Sequence, residues 1–190
     1  MIQDVNVCTY NKCDSILFNS YCKNRNVVLS NLYDKCYIDY QGEVFHSSEQ
    51  LFFWLLLEGN EKGRKRILEC ETAKKCKISG KYYLKKMGWD DTKPEVQRAE
   101  LQALRIAIGE KMRCCDEFRE IVLSSNKRIV EYAWWGDDEY GCIDLDPKYS
   151  GNWYKGQVRG QNISGRLIME WRKKYLNSIP YSSSLIPYPY

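Results

Sequence analysis

The chain is short of histidine: His46 is the only one in 190 residues. Serine–histidine and cysteine–histidine machinery must therefore run through that residue or be absent, which leaves acid–base work at neutral pH to carboxylates. Long hydrophobic runs are missing too. The longest, Leu51 to Leu57, has seven residues, against roughly 20 for a membrane span. The start, Met1-Ile2-Gln3-Asp4-Val5-Asn6, has no basic stretch leading into an apolar one, so no signal peptide is expected. A cytoplasmic protein with no membrane partner is the expectation. Among nine cysteines there is no Cys-x-x-Cys pair. A zinc site wants paired ligands at short spacing, so no metal site is expected, and the thiols read as reduced and buried.

What is there makes a full core. The apolar fraction is 44%, with 15 Tyr, 6 Trp and 5 Phe, enough for one domain of this length. Charges nearly cancel, 29 Lys and Arg against 25 Asp and Glu, for a net +4. That is too mild to declare a nucleic-acid binder, though it does not repel phosphates.

Along the chain, residues 1–45 read as short strands and turns, with Val27-Val28-Leu29 and Tyr37-Ile38-Asp39-Tyr40 β-prone and a hairpin return through Gln41-Gly42. Residues 61–87 read as basic and mostly helical. Pro94 suits the first position of a helix that continues with apolar spacing through Val96, Leu101, Leu104 and Ile108, and a second helix covers 116–123. Ile129 to Tyr132 reads as a strand, residues 133–161 as one long loop, and Asn162 as the cap of a last helix. The sum is an α+β fold: a predominantly helical single domain over 1–178 with a few short strands, then a loosely held tail, 179–190.

The richest segment is Phe45-His46-Ser47-Ser48-Glu49-Gln50, running into Leu51-Phe52-Phe53-Trp54-Leu55-Leu56-Leu57. Ser47 with Gln50 three residues on fits a capping box, and a helix apolar all round is a buried one. Glu49 then sits in the first turn, where the helix dipole favours its charge while Phe52 and Phe53 oppose it. A fixed acid at the edge of a dry interior suits glycosidic or hydrolytic chemistry; an ordinary helix start has the same look. The second block is Gly160-Gln161-Asn162-Ile163-Ser164-Gly165-Arg166. Glycines at a helix start let N–H groups approach an anion, and Arg166 offers a forked contact to phosphate; a glycine-rich turn before a helix is also a common structural device. Trp134, Trp135, Tyr140 and Trp153 could stack on a base or close the core. The basic stretch from Lys62 to Lys86 suits a polyphosphate or nucleic-acid backbone, or a solvated helix face.

Taken in order, Leu29-Ser30-Asn31-Leu32-Tyr33, Phe45 to Gln50, Ala73-Lys74, Trp89-Asp90, Val130-Glu131, Asp137, Tyr140-Gly141-Cys142, Gly160-Gln161-Asn162, Gly165 to Met169 and Arg172 resemble the NADAR, or YbiA-like, family over roughly residues 27–175. Proteins of that family are cofactor-free N-glycosidases. One branch removes ADP-ribose from modified guanine in nucleic acid or nucleotides; another cleaves ribosylamino-pyrimidine phosphates of riboflavin synthesis. The resemblance implies a YbiA-like fold, no cofactor, and an ADP-ribose-containing or ribosyl-phosphate substrate, with ADP-ribosylated DNA or RNA as candidate partners. It implies Glu49 and Asp137 as the catalytic carboxylates. Ser30, Asn31, Ser48, Lys74, Trp89, Tyr140, Gly141, Gly160, Asn162, Gly165 and Arg166 become candidate substrate contacts, with Arg172 a further candidate for phosphate. Two positions depart from the pattern: Gln50 stands where the family often has His, and Tyr140 where it has Trp. They point to an altered pocket around retained chemistry. A non-catalytic ADP-ribose or NAD-binding module is the alternative.

Overall fold

The computed structural model describes residues 7–134, 136 and 139–178. Asp137, Trp135 and the tail, 179–190, lie outside the described residues. The chain opens with two strands, β1 (Cys8–Asn11) and β2 (Ser15–Phe18), then a short 3₁₀ helix, Arg25–Leu29. Here the structure corrects the reading of Val27 to Leu29 as a strand. Asn24 caps the turn by accepting from the Asn26 N–H, and Val28 and Leu29 are buried. So short an apolar run fits either geometry, and the local cap decides it.

The hairpin β3 (Ile38–Tyr40) and β4 (Glu43–Phe45) follows, turned by Gln41 and Gly42, both at positive φ. Helices α1 (Ser48–Leu56), α2 (Glu61–Leu68) and α3 (Ala73–Lys86) come next. Ser47 caps α1 by accepting from the Gln50 N–H at 3.2 Å. The Gln50 side chain reaches back one residue further than a standard box, accepting from the His46 N–H at 2.9 Å, while its amide donates to the Ile67 carbonyl at 2.9 Å and so ties α1 to α2. Asn60 and Thr72 cap α2 and α3 in the same way.

The longest helix, α4 (Pro94–Cys114), begins at Pro94 and runs six residues beyond Ile108; α5 (Asp116–Leu123) leads to β5 (Arg128–Glu131). The supposed loop over 133–161 is partly ordered into β6 (Ile143–Asp144), a 3₁₀ turn at Pro147–Tyr149 and β7 (Gln157–Gly160), before α6 (Ile163–Ser178). A two-residue strand has no periodicity to read. β7 lies between β1 and β6, antiparallel to both, and β2 pairs in parallel with β5. This segment is pinned by buried Lys12: its Nζ donates to the Tyr132 hydroxyl at 3.0 Å and the Asn152 carbonyl at 2.5 Å, and pairs with Asp144.

Apolar side chains gather into two principal cores. One joins β2, β5, α4, α5 and α6 around Phe18, Ile108, Phe118, Ile129 and Ile168. The other joins α1, α2, α3 and the hairpin around Phe45, Leu51, Leu57, Ile67 and Leu84. Phe52 packs against both. Cys36 and Cys115 form a disulfide inside the first core, which corrects the expectation of reduced thiols throughout; a pair 79 residues apart leaves no trace in local spacing. Cys8, Cys13, Cys22, Cys70, Cys76, Cys114 and Cys142 stand outside the disulfide. No helix among the described residues is long and apolar enough to cross a membrane.

Candidate active site

At the seam between the two cores lies a cavity of about 670 Å³. Glu49 projects into it from the first turn of α1. The Ser30–Asn31 turn, just after the first 3₁₀ helix, holds that helix end in place: the Asn31 carbonyl accepts the Glu49 N–H at 3.1 Å, and the Asn31 side-chain oxygen accepts the Ser48 hydroxyl at 2.9 Å. Glu49 is 8% exposed. Burial pushes its carboxyl up from the ordinary range, against Lys77, Lys81 and Lys111, which pull it down. The dry surroundings outweigh the pull of the three lysines.

Beneath the same turn lies Lys111, fully buried on α4. Its Nζ donates to the Ser30 carbonyl at 2.7 Å and lies 5.0 Å from the centre of the Phe118 ring. Burial lowers it to about 7, with Glu117 and then Glu49 acting in the other direction. A charged group shifted this way next to a cavity is a mark of functional ground. Cys76 is buried nearby, and burial holds its thiol well above the usual range, which makes it a poor nucleophile.

The rest of the lining comes from far along the chain. Lys77, Lys81 and Lys85 line the cavity from successive turns of α3. Phe52, Phe53, Leu84 and Leu104 give it apolar walls; Trp89, Glu100, Glu131, Tyr140 and Ser164 complete the polar side. Trp89 donates its indole N–H to Glu100 at 3.0 Å, and the Tyr140 hydroxyl lies 3.3 Å from the other Glu100 oxygen. Of the residues singled out in the sequence, Ser30, Asn31, Glu49, Trp89 and Tyr140 therefore meet at one place, and Ser48 braces them from behind.

The other predicted contacts lie elsewhere. Lys74 is exposed, with its Nζ 5.6 Å from the centre of the Tyr21 ring. Arg166 is exposed and does not line the cavity, and Arg172 spends its guanidinium on the Ser125 and Lys127 carbonyls at 2.8 and 3.0 Å. The block from Gly160 to Arg166 works as a structural joint rather than an anion cradle. Asn162, at φ 50°, accepts from the Glu131 N–H at 3.0 Å and donates to the Ile129 carbonyl at 2.9 Å, so its side chain is committed to β5. The first N–H groups of α6, on Ile163 and Ser164, donate to the Glu139 and Tyr140 carbonyls, and that of Asn162 to Gly141. An anion would find those donors engaged. A Cβ on Gly165 would sit 2.2 Å from the Ile129 carbonyl oxygen, which explains that glycine by close packing. Gly160 ends β7. His46 also serves structure: its Nε2 donates to the Cys70 carbonyl at 2.7 Å. Trp153 packs edge-on against Tyr132, ring centres 5.1 Å apart, and Trp134 is not among the lining residues.

Six side chains of the site were not singled out in the sequence. Lys77, Lys81 and Lys85 were hidden among ten basic residues, yet Cys76, Gly80 and Leu84 mark the inward stripe of α3, and the three lysines flank it. Glu100 and Lys111 fall on the inward face of α4 with Leu104 and Ile108; charge at those places of an apolar period was the available signal. Glu131 stood within the resemblance without a role. Among the described residues no group of three or more His, Cys, Asp or Glu is arranged to hold a metal ion.

No family model matches the sequence, and no curated protein matches it. Among solved structures, the NMR structure of the E. coli protein YbiA matches with a TM-score of 0.60, covering 86% of this chain and 86% of that one, at 23% identity. The fold is YbiA-like. The likeness is one of architecture, helices with a few short strands. Within this YbiA-like frame the cavity walls come from the 3₁₀ turn, α1, α3, α4, β5, the segment before α6 and α6 itself.

Proposed function

We propose that this chain is an N-glycosidase that hydrolyses the bond between the anomeric carbon of a phosphorylated ribose and a base nitrogen, with an ADP-ribosylated base as substrate and ADP-ribose as product. The observation that carries the reading is Glu49, a desolvated carboxylate in a cavity that also holds a row of three lysines and four aromatic residues. Breaking the C–N bond builds positive charge on the anomeric carbon. A carboxylate poorly solvated in its resting state gains most from such a charge, because little water competes for it. Water then adds its oxygen to the anomeric carbon, one proton passes through Glu49 and ends on the leaving nitrogen, and the other stays on the new hydroxyl. An upward-shifted carboxyl is also the better proton carrier near neutral pH. Glu131, which also lines the cavity, is suited to the ribose hydroxyls.

The lysine row runs eight residues along α3, about 12 Å at 1.5 Å per residue. That length serves two linked phosphates better than one, which favours an ADP-ribosyl substrate over a ribosylamino-pyrimidine monophosphate. The ordered motifs resembling NADAR proteins support the same chemistry. Incubation with ADP-ribosylated guanosine or DNA, beside a ribosylamino-pyrimidine phosphate, is expected to release ADP-ribose from the first. Glu49→Gln abolishes that release. It also removes a group whose ionisation weighs against the fold: with the folded pKa raised, stability is lost as pH rises through it. The variant is therefore at least as stable as the parent at pH 7. Turnover retained in Glu49→Gln, or tight ADP-ribose binding by the parent chain with no hydrolysis of either substrate, overturns the assignment.

A further inference from the structure

Glu100 is an acid of the cavity whose two oxygens each accept from an aromatic side chain. It projects from α4 and is half-buried. Trp89 reaches it from the turn after α3, and Tyr140 from the segment before α6, at 3.0 and 3.3 Å. Trp89 is further tied down by its backbone N–H, which donates to the Leu84 carbonyl at 3.0 Å. Three segments thus meet through one carboxylate.

The chemistry of this arrangement is specific. Indole and phenol present a flat apolar face and a single polar tip each. With the tips fixed on Glu100, the rings lose the freedom to turn those tips toward water; Tyr140 packs against the first core and Trp89 against the second, and both line the cavity. A carboxylate has about four acceptor positions, so Glu100 keeps capacity beyond its two bonds for an N–H on a ligand. Rings held in advance bind a planar partner without the cost of ordering them afterwards. The lysine row on α3 lines the same cavity, so a ligand with a flat heterocycle and a phosphate could engage both.

We propose that Glu100 is a positioning and specificity-determining residue: by holding Trp89 and Tyr140, it makes this part of the cavity a receptor for a planar nitrogen heterocycle joined to a sugar phosphate. The proposal rests on reading the cavity as the ligand site, but its test measures binding and needs no turnover.

The test compares ligands with and without the heterocycle. Affinities of the parent chain, Glu100→Met and Glu100→Gln are measured by calorimetry for ribose 5-phosphate and for the four common nucleoside 5′-monophosphates. The expected result is that at least one nucleotide binds the parent about tenfold more tightly than ribose 5-phosphate, the size of one base–aromatic stack. Glu100→Met removes that ratio while leaving the ribose 5-phosphate affinity unchanged, and Glu100→Gln, which keeps one acceptor, falls between. Trp89→Phe, which retains a ring but no N–H, moves the ratio the same way and serves if Glu100→Met does not fold. Three results overturn the proposal: a parent ratio near one for all four nucleotides, a ratio indifferent to Glu100, or an equal loss for both ligand types, which marks a structural role only. A chain that hydrolyses its substrate with a Glu100-independent ratio refutes this inference and spares Glu49. A Glu100-dependent ratio in a chain without turnover does the reverse.

Discussion

Replacing Lys111 with methionine tests whether the ground beneath Glu49 is as dry as it is drawn. Lys111 is fully buried, hydrogen-bonded to the Ser30 carbonyl and flanked by the Tyr33 and Phe118 rings, with Glu117 and Glu49 as the carboxylates acting on it. Its pKa falls from 10.5 to about 7, which at 1.36 kcal/mol per unit amounts to about 5 kcal/mol held against the charged form. The unfolded chain keeps this proton up to its ordinary range, whereas the folded chain gives it up near neutrality. Between those limits the unfolded state binds more protons, so stability rises with pH. From pH 7 to pH 9 the lysine adds about 2 kcal/mol. Methionine has nearly the same volume and nothing to titrate, and the Ser30 carbonyl keeps the Tyr33 N–H at 3.2 Å as a partner. Urea unfolding of both proteins from pH 6 to pH 9, followed by tryptophan fluorescence, reads the result. Lys111→Met is the more stable protein at pH 6, and its advantage shrinks by about 2 kcal/mol between pH 7 and pH 9. The cysteine thiols are common to both proteins and cancel in the difference. Parallel curves across that range would refute the reasoning, since they mean that Lys111 is hydrated and titrates normally.

Other perturbations read other parts of the site. Lys81→Ala and Lys77→Ala each raise KM for the phosphorylated substrate about tenfold with little change in kcat, and the effect fades at high ionic strength; unchanged steady-state kinetics would remove the lysine row from the binding surface. Gly80→Ala places a Cβ 2.1 Å from a Phe53 ring carbon, so α3 and α1 must separate or Phe53 must enter the cavity. A stability loss of about 1–3 kcal/mol, with a raised KM, is expected from thermal unfolding and kinetics. Replacing Cys36 and Cys115 by serine opens a connection 79 residues long, costing up to about 4.5 kcal/mol by chain entropy; equal stability of the parent with and without reductant would contradict this.

Much of the frame is legible because its signals are local. Ser47 and Gln50 announce α1, Pro94 announces α4, and the run from Leu51 to Leu57 can be placed only inside. Glu49 follows from those signals without any tertiary information. What escapes depends on faces and on pairing. Val27 to Leu29 is too short to carry a period, and β6 is only two residues long. Lys77, Lys81 and Lys85 are exposed like Lys74 and Lys75, and differ from them only in standing on the side of α3 that lines the cavity. That choice is settled by Gly80 against Phe53, a contact between helices. Arg166 and Arg172 were attractive as cations near a glycine-rich start, yet the orientation of α6 is fixed by Asn162 on β5, and neither side chain ends in the cavity.

Asn162 has a consequence beyond its own hydrogen bonds. It joins the end of β5, the segment at 139–141 and the start of α6, and each of these supplies one wall residue: Glu131, Tyr140 and Ser164. The block that looks most like a ligand signature is therefore a hinge pin of the architecture. Likeness at Gly160 to Arg166 therefore reports a shared shape, while the chemistry of the cavity is written in the walls that this pin holds together.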